Sequence, residues 1–118
     1  KTAYASMPRL VGSEMCIRDS PTAVFCSCDE AAFGFIAALR RKEIRVPEDV
    51  SVVGFDDTPL ADHYCPALTT VRQPHRELGT TAVRMLLERI RDVEASIPNQ
   101  LLEGKLIVRE STGHPPIN

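Results

Sequence analysis

The stretch Val50-Ser51-Val52-Val53-Gly54-Phe55-Asp56-Asp57 constrains the fold more than any other part of this sequence. A run of β-branched and aromatic residues that ends in two carboxylates reads as a strand buried on both faces, as in a parallel sheet. Gly54, near the strand's end, lets another group pack against the backbone. In open α/β sheets ligands bind beyond the carboxyl ends of the strands, and Asp56 and Asp57 stand at that position. Read without that context, Asp-Asp-Thr-Pro is also a turn or helix-start sequence.

The chain has 118 residues, room for one small domain or part of a larger one. It is 43% hydrophobic and 25% charged, with no Trp, an ordinary balance for a globular protein. No apolar run reaches the roughly 20 residues of a membrane helix, so no membrane partner is expected. Lys1 is not followed by the apolar core of a secretory signal. A net charge of −2, with acids interspersed among bases, gives no grip on nucleic-acid phosphates. Cys16, Cys26, Cys28 and Cys65 fit neither zinc-ligand spacing nor a CxxC redox pair. The expectation is therefore no metal, no cofactor and a reducing, cytoplasmic compartment.

The first twenty residues stand apart. Leu-Val-Gly-Ser-Glu-Met-Cys-Ile-Arg-Asp-Ser, residues 10–20, shows neither helical nor strand periodicity. It resembles, residue for residue, one reading frame of the transposase adapter used to build sequencing libraries. Residues 1–20 are accordingly read as an artefactual or unrelated segment, and the functional domain as 21–118. From Pro21 onward, 11 basic side chains stand against 14 acidic ones, a net of −3.

From Pro21 the punctuation is regular. Ala23–Cys26 reads as a buried strand. Ser27 and Asp29 are good N-cap types for a helix over 31–42, whose cations Arg40, Arg41 and Lys42 suit its C-terminal end. Ala32, Phe33, Ile36, Ala37 and Leu39 recur at helical spacing, and Ala31, Phe35 and Ala38 widen the stripe nearly all round. Such a helix requires cover on two sides. Pro47 precedes the strand 50–55, completing a βαβ unit. Residues 59–64 allow a turn or two of helix, 68–71 another strand, and Pro74 the first turn of a long helix. Leu78, Ala82, Met85, Leu86, Ile90 and Val93 share one face of that helix, with Arg84 and Glu88 as an i,i+4 pair on the other. Leu106–Val108 is the last strand, and 111–118 reads as a tail.

The chain contains no Gly-x-Ser-x-Gly elbow, HExxH, Walker loop or GxGxxG, so nothing here assembles an enzyme. A binding cleft is better supported. Three strand ends offer Cys28, Asp56 and Gln73. An ionised Asp accepts two hydroxyl protons and a Gln both donates and accepts, a combination suited to sugars, polyols or nucleobases.

These residues resemble the lactose/galactose-repressor (LacI/GalR) family of bacterial transcription regulators. The likeness covers Pro21 to Pro115. It rests on Pro21-Thr22-Ala23-Val24-Phe25-Cys26, on Asp29-Glu30-x-Ala32-x-Gly34, and on Arg45-Val46-Pro47-Glu48-Asp49 running into Val50–Asp57. It continues through Pro66-x-Leu68-Thr69-Thr70-Val71-x-Gln73-Pro74, Glu77-Leu78-Gly79 and Leu106-x-Val108-Arg109-Glu110-Ser111-Thr112.

The resemblance implies an α/β fold: the three-layer, parallel-sheet lobe of a periplasmic-binding-protein-like type I domain, truncated here. It implies that the chain crosses to a second lobe near Gln73 and returns as the last strand. Asp56 would hydrogen-bond a sugar-like effector, with Gln73 at the cleft hinge. Cys28 takes a place where the family usually has Asn, and a thiol is a poor hydrogen-bonder. Asp29 beside it is expected to cap its helix. Phe33, Ala37, Leu60 and Tyr64 would lie in a homodimer interface. Operator DNA would be bound only through a helix-turn-helix upstream, which this chain does not contain. A periplasmic sugar-binding receptor of a transport or chemotaxis system is the alternative, since it shares the fold.

Overall fold

A computed structural model describes residues 21–94 and 96–115. The adapter-like run at 10–20, and the division at residue 20, lie outside the described residues. In chain order the elements are β1 (Ala23–Phe25), α1 (Asp29–Arg40), β2 (Ser51–Phe55), α2 (Pro59–His63), β3 (Thr69–Arg72), α3 (His75–Arg91) and β4 (Lys105–Ile107). Each falls within two residues of the segment expected from periodicity and proline punctuation.

The four strands form one sheet in the order β1-β2-β3-β4. β1 and β2 are parallel, with Val24 opposite Val52, and β2 and β3 are parallel, with Gly54 opposite Thr70. β4 runs antiparallel to β3, with Val71 opposite Leu106. The fold is thus a mixed α/β sheet with mostly parallel strands. The antiparallel edge was not legible, because an apolar triplet carries no mark of its direction.

α1 lays Ala32, Phe33, Ile36 and Leu39 on the face that β2 presents through Val52. Leu68 and Ala61 complete that core. Fully burying side chains such as Ile36, Val52 and Leu68 stabilises the fold by about 1.5–3 kcal/mol each. The opposite sheet face carries Phe25 edge-on to Phe55, ring centroids 6.3 Å apart. There Phe25 remains 63% exposed and Leu106 55%, so this is the face that a further layer would cover. No residue of α3 is buried.

Three local expectations need correction. The N-cap of α1 is Cys28, with no side-chain capping bond, so Asp29 does not cap its own helix. Arg84 donates to Gln100 Oε1 at 3.2 Å rather than pairing with Glu88, because the loop after α3 folds back beside it. Residues 111–113 are not a free tail. Ser111 is fully buried, its hydroxyl donating to Val52 O at 2.6 Å and accepting from Thr69 N–H at 2.8 Å. Hydroxyl-to-backbone bonds thus tie the segment to the sheet, a role that Pro- and Gly-rich composition does not reveal.

Candidate functional site

Asp56 and Gln73 leave the carboxyl ends of two adjacent parallel strands and meet there. Gln73 Nε2 donates to Asp56 Oδ1 at 2.5 Å, although seventeen positions separate them in sequence. Both are half-buried. They line an open depression of about 770 Å³, together with Asp57, Arg72, Arg76 and Thr80. One wall is the sheet's carboxyl edge and the other the first turns of α3. The lining mixes acids, cations, an amide and a hydroxyl, which suits a neutral ligand rich in hydroxyl or amide groups more than a strongly charged one.

The turn that carries Asp56 is unusual. Asp56 has φ 116° and Asp57 φ 56°, a left-handed conformation that non-glycine residues adopt at a cost. Four bonds hold the turn. Asp56 N–H donates to Val71 O at 2.9 Å. Asp57 N–H donates to Thr70 Oγ1 at 3.3 Å. Arg72 Nε donates to Asp57 Oδ2 at 2.5 Å, and Arg109 Nη2 to Asp57 Oδ1 at 2.8 Å.

Asp57 therefore neither caps a helix nor sits in a solvated turn, as Asp-Asp-Thr-Pro read alone would suggest. The N-cap of α2 is Thr58. The Asp57 side chain is 5% exposed and that of Arg109 13%. Burial pushes the Asp57 carboxyl up, but the hydrogen bonds and charges of Arg109 and Arg72 outweigh it and hold the group below the usual carboxylate range. Burial likewise pulls the Arg109 guanidinium down, and Asp57 and Asp62 more than restore it. Arg109 also donates to Asp62 Oδ1 at 3.0 Å and Leu68 O at 2.9 Å.

Beneath the turn lies Asp29, fully buried at the start of α1. Its carboxylate accepts from Thr70 Oγ1 at 2.5 Å, Thr58 N–H at 2.7 Å and Thr58 Oγ1 at 3.1 Å. Gly54 is what makes room for it: a Cβ there would run into the Asp29 carboxylate and stand 2.8 Å from Leu68. The close approach expected at Gly54 is this one. Asp29, Arg72 and Arg109 were missed as site-supporting residues. An Asp opening an otherwise apolar helix, and a single Arg directly after the last apolar triplet, are the sequence signals for Asp29 and Arg109.

Cys28, at the end of β1, is half-buried and is not among the residues lining the depression. Burial, helped by the neighbouring Cys28, pushes the Cys26 thiol up, as befits a small buried hydrophobe. Among the described residues no three His, Cys, Asp or Glu side chains group as a metal site, and no helix is long and apolar enough to cross a membrane.

The four residues expected at a dimer interface occupy one neighbourhood. Phe33 belongs to the core, and its ring lies 4.6 Å from that of Tyr64, whose hydroxyl donates to Phe33 O at 3.1 Å. Ala37, one turn further along α1, is half-buried, and Leu60 on α2 is 51% exposed.

A mostly parallel sheet that gathers polar side chains at the carboxyl ends of its strands, beside an open cleft, is the arrangement of a small-molecule-binding lobe. Residues 1–112 match the family model of the periplasmic binding protein-like domain. The HTH-type transcriptional repressor PurR of Vibrio vulnificus is 43% identical over 94 residues, 80% of this chain and 28% of that protein. The crystal structure of the Lac repressor dimer bound to operator and the anti-inducer ONPF aligns with TM-score 0.70 and 41% identity, over 79% of this chain and 32% of that one. The complex of the transcriptional regulator CelR with cellobiose aligns with TM-score 0.69 and 42% identity, over 78% and 28% respectively. The chain belongs to the periplasmic binding protein-like domain family, as a fragment of a LacI/GalR-type effector-binding domain. These relatives are transcriptional regulators, not enzymes, and the chain spans about 28% of the length of the curated relative from V. vulnificus.

Proposed function

We propose that this chain is the C-terminal part of the effector-binding and dimerisation domain of a cytoplasmic, DNA-binding repressor that responds to a sugar or sugar derivative. The Asp56–Gln73 pair carries the reading: a carboxylate and an amide at adjacent strand ends, over an open cleft of about 770 Å³. The carboxylate accepts from ligand hydroxyls, and the amide fixes orientation by donating and accepting. Cellobiose in the CelR complex supports a saccharide ligand. Cys28, at the neighbouring strand end outside that depression, would meet only an effector that extends along the strand ends, and then through shape more than hydrogen bonding. Ala37, Leu60 and Tyr64 would face the partner subunit, with Phe33 supporting them from the core. Effector binding would alter operator affinity through a coupling between the two sites. Operator contact would come from a helix-turn-helix encoded upstream.

The test is the intact gene. Its product should open with a helix-turn-helix, bind a cognate operator fragment as a dimer, and change that affinity on addition of one member of a saccharide panel. A signal peptide upstream, with saccharide binding but no DNA binding, would instead make the protein a periplasmic receptor. A response to purine bases alone would keep the repressor and replace the sugar.

A further inference from the structure

Asp57 sits beside the proposed effector contact, yet both of its carboxylate oxygens are engaged by guanidinium groups. Its two arginines come from opposite ends of the excursion through α3. Arg72 is the last residue of β3, adjacent to Gln73, and Arg109 follows β4. The two supports are unequal. The Arg109 side chain is 13% exposed and is held by Asp62 and Leu68 O as well, whereas that of Arg72 is 56% exposed. The residue before Asp57 has φ 116°, and Asp57 itself φ 56°. Such a turn persists only when its surroundings over-determine it.

On this geometry, and resting on the effector-site reading above, we propose that Asp57 is the positioning residue of that site. Clamped by Arg109 and Arg72, it holds the strained turn so that the Asp56 carboxylate meets the Gln73 amide, and it thereby sets effector affinity through Asp56, its own two oxygens being taken by the arginines. Breaking the clamp lets the turn relax towards ordinary negative φ, which swings Asp56 away from Gln73. The clamp also ties the Asp56 turn to the end of the strand that Gln73 follows, so the two contact residues move as one unit.

The full-length regulator provides the test in two readouts. Crystal structures of the wild type, Asp57→Asn and Arg72→Gln, all without ligand, should show the Asp56–Gln73 bond in the first and its loss, with Asp56 at negative φ, in the second. Arg72→Gln, at an exposed side chain, should show a weakened bond and serves if Asp57→Asn does not fold. An unchanged turn in both variants overturns the proposal. The second readout is a double-mutant cycle on saccharide affinity by calorimetry, with cellobiose and ribose as probes. Asp57→Asn should weaken binding about fivefold or more in the Asp56 background and less than about twofold in an Asp56→Asn background. Equal losses in both backgrounds would mean that Asp57 acts independently of Asp56 and would also overturn it. If the wild type binds neither saccharide, the sugar reading fails, while the crystallographic readout still decides the positioning role.

Discussion

Gln73 donates to Asp56 across the mouth of the cleft at 2.5 Å, and the two directly follow neighbouring parallel strands. The bond engages one Asp56 oxygen, so an effector can replace the amide partner or add to it. A charge-assisted hydrogen bond to the carboxylate contributes roughly 1.5–3 kcal/mol. Asp56→Ala in the intact regulator should therefore weaken the effector response at least about tenfold, since about 1.4 kcal/mol is a factor of ten. Operator binding without effector should hardly change. Calorimetric titration of effector alongside operator-shift assays measures both, and wild-type effector affinity in Asp56→Ala would remove Asp56 from the site.

Gly54→Ala should destabilise the fold by about 1–3 kcal/mol, through overpacking against Asp29 and Leu68. Thr70→Val should cost about 1–3 kcal/mol by a different route, leaving the buried Asp29 carboxylate short of a donor. Denaturant unfolding of the full-length protein tests both. A neutral Gly54→Ala would mean that Asp29 can move aside freely.

The elements themselves were legible because apolar runs of the right period are separated by Pro47, Pro59, Pro66 and Pro74, which fix where each can begin. That Asp56 and Gln73 stand at strand ends was legible because each directly follows an apolar run. What could not be read was which charge meets which. Asp57 meets Arg109 across 52 positions, and Asp29 meets Thr70 across 41. Periodicity assigns a residue to a face, not to a partner on another element. The direction of β4 and the burial of Ser111 escaped for the same reason.

Residues 10–20 should be absent from the genomic locus. The family match extends over residues 1–112 and so includes this run, whose resemblance to a translated adapter is the ground for expecting its absence. Amplification across the region from genomic DNA should give a product without those codons. Their presence in independently prepared DNA would make the segment native.

Expressed alone, residues 21–118 should aggregate or pack loosely. α3 leaves Val83, Leu86 and Ile90 between 57% and 66% exposed, Val93 just beyond it is 71% exposed, and the sheet leaves Phe25 and Leu106 uncovered. Exposed apolar surface of this kind drives association. Dye binding to exposed apolar surface should be strong and the thermal transition broad. A monomer with a sharp cooperative transition would contradict this.

The Asp57 clamp should also give the regulator an acid-sensitive component of stability. Burial opposes ionisation of Asp57, but Arg109 and Arg72 outweigh it, so the folded group titrates below its unfolded counterpart. A carboxylate depressed in this way stabilises the fold above the unfolded value of about 3.9, and the contribution disappears as pH falls through the folded value. Melting temperatures of wild type and Asp57→Asn should thus differ most at neutral pH and converge below about pH 4. Other carboxylates also titrate there: Asp49, hydrogen-bonded by Arg45, is lowered to about 2. The difference between the two proteins, rather than either curve, isolates Asp57. Arg72→Gln should narrow the gap at neutral pH only partly, because Arg109 still holds the carboxylate from the buried side. A wild-type-minus-mutant difference that stays constant from pH 7 to pH 3 would show that Asp57 is not bound more tightly as an anion in the folded protein, and the ion clamp would lose its energetic basis.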